Sequence, residues 1–254
     1  MVAKKTSRVI IVIPARMGST RLPGKALLDL GGKSVVQRVW EQAQKVHSAD
    51  IVIVATDHDD IQHHCQDFGA NVVMTSSELE SGTDRVAKVA ETFNENDIII
   101  NLQGDLPFVD ARVCNQLVNI LRMDKEADMA TPCLRVPGDL NQGNIFDPGS
   151  VKVVFNKFNH ALYFSRNLVP SFMDQIVTYW YHHFGIYAYF NYALQKFTSL
   201  PQSYLEEGEN LEQLRALENG FKIHVVETIY EAGQEINTPG DYESACAMIS
   251  DFNR

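Results

Sequence analysis

The chain has 254 residues, of which 45% are apolar and 21% charged, with a formal net charge of −10. Those proportions describe a globular protein with a full core, and the acidic balance argues against nucleic acid as a partner. The basic start, MVAKKTSR, is followed by an apolar run of only Val9 to Ile13, too short for a signal-peptide core or a membrane span.

A cytoplasmic protein without membrane insertion is therefore expected. Cys65, Cys114, Cys133 and Cys246 are scattered with no CxxC pair, as buried reduced thiols would be. Basic residues concentrate early: Lys4, Lys5, Arg8, Arg16, Arg21, Lys25, Lys33, Arg38 and Lys45 face only Asp29 and Glu41 over the same stretch. An acidic protein with a local basic pocket suits a small anionic ligand.

In chain order, the first predicted element is a strand over Val9 to Ile13, unbroken and β-branched like a strand buried on both faces of a parallel sheet. It runs into a loop holding Gly18, Gly24, Arg16, Arg21 and Lys25. Ligands bind just past the carboxyl ends of such strands, and glycines let backbone N–H groups approach phosphate oxygens. The spacing is not that of a Walker A loop, and no GxGxxG occurs there. A polyphosphate site and an ordinary basic surface loop are the two readings.

Strands over Ile51 to Ala55, Asn71 to Met74, Ile98 to Leu102 and Met129 to Leu134 alternate with helices over Ser34 to Val46, Asp59 to Phe68, Asp84 to Phe93 and Ala111 to Leu121. The alternation predicts an α/β fold, a mostly parallel sheet with helices on both faces. Ser81 or Thr83 could cap the third helix or contact a base or sugar. Asp105, in NLQGDLP after the Ile98 strand, reads either as turn chemistry or as a carboxylate for a Mg²⁺–nucleotide site.

After Pro137 the rhythm breaks. Gly138 to Gly149 reads as a loop, and Val151 to Phe155, His160 to Phe164 and Phe184 to Phe190 as strands of an antiparallel excursion. Its aromatics, Tyr163, Phe164, Tyr179, Trp180 and Tyr181, suit a subunit contact or core packing. Glu206 to Asn219 is predicted as one helix closed by Gly220, with Glu206, Glu209, Glu212 and Arg215 on a solvated face. Ile223 to Val226 is a late strand and Pro239 to Ile249 a closing helix. His182 and His183 are adjacent, so in a strand they point to opposite faces and do not chelate one metal.

Ordered motifs along nearly the whole chain resemble the 3-deoxy-manno-octulosonate cytidylyltransferase (CMP-Kdo synthetase) family. They are IPARMGSTRLPGK from Ile13, ATDHDD from Ala55, MTSSELESGTDR from Met74, NLQGD from Asn101, VKVVF from Val151, ALYFSR from Ala161, HFGIYAY from His183 and LEQLRALENG from Leu211. The first is shared widely among sugar nucleotidyltransferases; the set with ALYFSR, GIYAY and LEQLR is more specific.

The resemblance implies a single nucleotidyltransferase domain over 1–254, Rossmann-like, with 138–200 as a dimerisation and sugar-binding subdomain. It implies transfer of CMP from CTP to a 3-deoxy-ulosonic acid, with pyrophosphate released, for lipopolysaccharide synthesis in a Mg²⁺-dependent cytoplasmic homodimer. Carried over, Arg16, Lys25 and Asp105 are catalytic. CTP would meet Ala15, Arg16, Arg21, Lys25, Ser81, Gly82 and Thr83. The sugar acid would meet Arg85, Gln103, Arg166, His183, Tyr187, Glu209 and Gln213. The metal would meet Asp105 and Asn237.

Three positions depart from the family pattern: Leu106 replaces a Glu, Asn237 replaces an Asp that is the second metal ligand, and His182 stands where Arg or Lys is usual. An amide oxygen can coordinate Mg²⁺ but brings no charge. These departures keep open a sister transferase for 8-amino-Kdo or a nonulosonic acid, and a CTP-binding homologue without turnover.

Overall fold

Seven consecutive buried residues, Val9–Ala15, form β1, an inner strand of the sheet flanked by partners on both edges. The computed structural model describes residues 7–19, 21–138, 145–171, 177–230, 233 and 235–252. Lys4, Lys5 and residues 139–144 of the expected loop lie outside that set.

The alternating pattern becomes β2 (Ile51–Thr56), β3 (Asn71–Met74), β4 (Ile98–Asn101) and β5 (Met129–Pro137), separated by α1 (Val35–Ala43), α2 (Asp59–Asp67), α3 (Gly82–Ala90) and α4 (Ala111–Met123). Ser34 caps α1 by accepting from the Gln37 N–H, as its position before the apolar stripe predicts. Ser81, not Thr83, is the cap of α3, in a capping box with Asp84.

Beyond them come β6 (Lys152–Phe155), β7 (Ala161–Ser165), β8 (Tyr179–His183), β9 (Tyr187–Phe190), α5 (Asn191–Thr198), α6 (Tyr204–Glu209), α7 (Gln213–Glu218), β10 (Ile223–Thr228) and α8 (Pro239–Phe252). The main strand path is β3-β2-β1-β4-β9-β5-β8-β6-β7, with β10 paired to β5. Strands β1 to β4 pair in parallel, as does β10 with β5. Strand β9 is inserted antiparallel between β4 and β5, so β5 keeps the direction of β4.

The two faces of β1 explain the two principal cores. Val9, Ile11 and Ile13 pack with Val36 and Val39 of α1, Ile61 of α2 and Leu117 of α4. Ile10 and Val12 pack on the other face with Val86 of α3, Leu194 and Phe197 of α5 and Leu214 of α7. Side chains alternate across a strand, so a wholly apolar run needs cover on both sides. A smaller core joins Leu22 and Leu30 to Ile236, Ala245 and Ile249, bringing the α8 region against the opening loop.

Two expectations are corrected. Glu206 to Asn219 is not one helix: Asn210, at φ 50°, leaves the right-handed region and separates α6 from α7. Asparagine visits that conformation at low cost. The acidic run is accordingly not one solvated face, and Glu206 is buried with Arg215 3.1 Å from its carboxylate. In the aromatic excursion Phe164 and Trp180 are buried while Tyr179 faces solvent, so both readings of these residues have members. Its strands continue the main sheet, with β8 filling a stretch that the sequence pattern left unassigned. No helix among the described residues is long and apolar enough to cross a membrane.

Candidate active site

The pairing of Val12 in β1 with Asn101 in β4 sets the carboxyl ends of both strands side by side. The loops that follow them therefore open on one edge of the sheet. Gly104 permits the approach: a Cβ there would stand 2.6 Å from the Pro14 carbonyl oxygen. Gly24, at φ 66°, supplies the left-handed turn that leads into a short 3₁₀ turn beginning at Lys25.

Between these loops lies a cleft of about 250 Å³, lined by Pro14, Ala15, Arg16, Arg21, Lys25, Gly82, Arg85, Gln103, Asp105 and Asn237 among others. The Lys25 ammonium lies 2.7 Å from Asp105 Oδ2 and 3.4 Å from Asn237 Oδ1. Arg21 donates to the same Asn237 oxygen at 3.1 Å. Arg16 is exposed and makes no hydrogen bond or ion pair with the described residues. Arg85 is buried and holds Asp57 at 2.7 Å, with further bonds to Thr75 Oγ1 and the Ser76 carbonyl. Cations thus outnumber carboxylates along the lining, a field that attracts anions.

Asp105 is the exception in this lining. Its Oδ2 is held by Lys25, while Oδ1 is buried and finds no donor among the described residues. A buried acceptor without a donor is costly, and a hard divalent cation is the group that would satisfy it. The residues present therefore fit a Mg²⁺ ion bound together with phosphate oxygens.

Next to Asn237 stands a residue that sequence reasoning missed. The Asn237 amide donates to Glu235 Oε2 at 2.8 Å. Glu235 keeps solvent access, yet protein crowds it, and the loss of hydration together with the nearby charge of Asp105 holds its carboxyl above the usual range. Arg21 and Lys25 work against that rise. The available signal was the triplet Glu-Ile-Asn, an apolar residue between two polar ones at a cleft edge.

Not every candidate reaches this cleft. Ser81 and Thr83 turn toward Glu212, at 3.4 and 2.8 Å, and Asn101 donates to Thr83 Oγ1 at 3.1 Å. Arg166 spends its guanidinium on the carbonyls of Pro148, Glu209 and Asn210. Glu209 accepts from Ser165 Oγ and the Arg166 N–H, tying α6 to β7. His183 is buried, hydrogen-bonded to Thr131 Oγ1 at 2.9 Å and packed on Phe164 and Tyr187. Burial, with a smaller push from His182, brings its pKa down to about 3, so the imidazole is neutral and offers no charge to a carboxylate. Gln213 is buried, and its amide nitrogen has no acceptor among the described residues.

A separate group, Asp124 with His160 and His224, has ligand atoms within 4.8 Å of one another. Both imidazoles already bond the same Asp124 oxygen, at 2.8 and 2.7 Å, so the trio acts as a polar staple between α4, β10 and the start of β7.

The family profile described as Cytidylyltransferase matches residues 10–227. A 3-deoxy-manno-octulosonate cytidylyltransferase of Thermodesulfovibrio yellowstonii is 42% identical over 96% of this chain and 99% of its own. An 8-amino-3,8-dideoxy-manno-octulosonate cytidylyltransferase of Shewanella pealeana is also 42% identical, over 95% of this chain and 98% of its own. Among solved structures, a CMP:2-keto-3-deoxy-manno-octonic acid synthetase complexed with CTP superposes with a TM-score of 0.90 at 39% identity, covering 97% of this chain and all of that one.

Proposed function

The chain belongs to the cytidylyltransferase family, and on that premise we propose that it activates a 3-deoxy-ulosonic acid with CTP, releasing pyrophosphate. The product is the CMP-sugar used in lipopolysaccharide assembly, made in the cytoplasm. One observation carries the reading: Arg16, Arg21 and Lys25 share a single cleft with Asp105 at the carboxyl edge of the sheet.

In this reading the three cations hold the triphosphate, and the backbone at Ala15 and Gly82 lies close enough to frame the nucleotide. Arg85 and Gln103 are the two sugar-acid candidates that line the cleft itself. The anomeric hydroxyl oxygen forms a bond to the α-phosphorus as the bond to pyrophosphate breaks, and the hydroxyl proton is released. The chain contributes by position and by fixed positive charge at the phosphates, which is where such transfers gain most of their rate. Asp105 would hold Mg²⁺, which when bound adds neutralising charge at the phosphates. A homodimer formed through the strands of 138–200 belongs to the same proposal, supported by the exposed Phe158, Leu162 and Tyr179.

Equal identity to a Kdo enzyme and to an 8-amino enzyme favours testing both acids. Protein mixed with CTP and Mg²⁺ should release pyrophosphate with at least one of them. Silence with Kdo and its 8-amino analogue, in both Mg²⁺ and Mn²⁺, would overturn the proposal.

A further inference from the structure

We infer that Glu235 supplies the second carboxylate of the cation site, with Asn237 fixing it in place instead of serving as the ligand. The inference rests on the reading of Asp105 as the first carboxylate.

Asn237 is poorly suited to a cation. Its Oδ1 already accepts from Arg21 at 3.1 Å and from Lys25 at 3.4 Å, and its nitrogen is turned toward Glu235. An oxygen flanked by two cationic donors and carrying no charge of its own has little to offer a hard divalent ion. Glu235, by contrast, has one carboxylate oxygen engaged by that amide, while Oε1 makes no hydrogen bond with the described residues. The side chain is exposed, so an ion can reach it.

Its position is fixed from below. Ile236 is fully buried among Leu30, Val35 and Ile249, and its N–H donates to the Asp105 carbonyl at 3.0 Å. That bond registers the 235–237 segment against Asp105 itself. Lys25, 2.7 Å from Asp105 and 3.4 Å from Asn237 Oδ1, and the Asn237 amide, 2.8 Å from Glu235, link the two carboxylates in one chain of contacts, and a shared cation would relieve their mutual repulsion. Mg²⁺ takes one or two carboxylates plus phosphate oxygens, and Asp105 with Glu235 makes that set without any charge from Asn237.

The test uses Mn²⁺ as the probe, with free ion counted by electron paramagnetic resonance in the full-length protein saturated with CTP. E235Q keeps shape and loses charge; it should weaken Mn²⁺ binding roughly tenfold or more. D105N should weaken it at least as much. Thermal melting of each variant checks the fold, and Glu235→Ala read in the same way replaces E235Q if that protein melts early. Unchanged Mn²⁺ binding in E235Q alongside loss in D105N would overturn this inference and leave the cleft reading standing. Unchanged binding in both variants would overturn the cation site altogether.

Discussion

The Lys25 ammonium sits 2.7 Å from the Asp105 carboxylate, although 80 residues of chain separate the two. The pair joins the loop after β1 to the loop after β4 and sets a positive charge against the Asp105 carboxylate. Under the proposed function, phosphate oxygens drawn to Lys25 would free Asp105 for a metal.

Asp105→Asn keeps the shape of that contact and removes the charge. Pyrophosphate release with CTP and the sugar acid is expected to fall by roughly a hundredfold or more, as when a charge-stabilising group is removed elsewhere. Lys25→Met should lower turnover comparably and weaken CTP binding, read by calorimetry. Near-normal turnover in both would show that the pair is structural.

Gly104→Ala probes the approach of the two loops. The added Cβ would meet the Pro14 carbonyl oxygen at 2.6 Å, so the loops must part. Overpacking of this kind costs about 1–3 kcal/mol, and urea unfolding should record it together with weaker CTP binding.

His182 and His183 predict how stability follows pH. Burial first, then the neighbouring Lys152 cation, brings His182 down to about 4 despite an opposing pull from Asp147; burial brings His183 down to about 3. Both stay neutral when folded and bind protons more readily when unfolded. Their stabilising contribution is therefore complete above the unfolded value near pH 6.5, and is lost progressively as pH falls toward 4 and then 3. Urea unfolding at pH 7 and pH 5 should differ by about 2 kcal/mol for each histidine, and His182→Phe should remove part of the difference.

Thiol reactivity gives a fourth check. Burial pushes Cys65, Cys114 and Cys133 up to about 12, which keeps them protonated and inert, whereas Cys246 is only half-buried. Ellman's reagent should modify Cys246 alone in the native protein and all four cysteines in denaturant.

The parallel half of the fold was legible because its signals are local. Val9 to Ile13 announces burial on both faces, and Ser34 stands directly before an apolar helical stripe. The cleft followed from a general rule about strand ends, which located Lys25 and Asp105 without any knowledge of their contact. What escaped depends on distant partners. Strand β8, Tyr-Trp-Tyr-His-His, lacks polar–apolar alternation and takes its identity from pairing with β5. Helix α5 follows Phe190, which provides no side-chain cap, so its start has no mark in the sequence. Periodicity also runs smoothly through Asn210, because a left-handed residue changes direction without changing hydropathy. Glu235 becomes noticeable only when the Ile236 N–H bond registers its segment against Asp105.

The backbone bond from the Ile236 N–H to the Asp105 carbonyl has a consequence for biosynthesis. Asn237, which lines the cleft, is translated more than two hundred residues after Arg16, which lines it too. A ribosome stalled before Ile236 thus carries a polypeptide whose basic loop lacks the Ile236 side chain that Leu22 and Leu30 pack against. Under the proposed function, prematurely ended products are expected to be inert bystanders, not competitors for the cell's CTP.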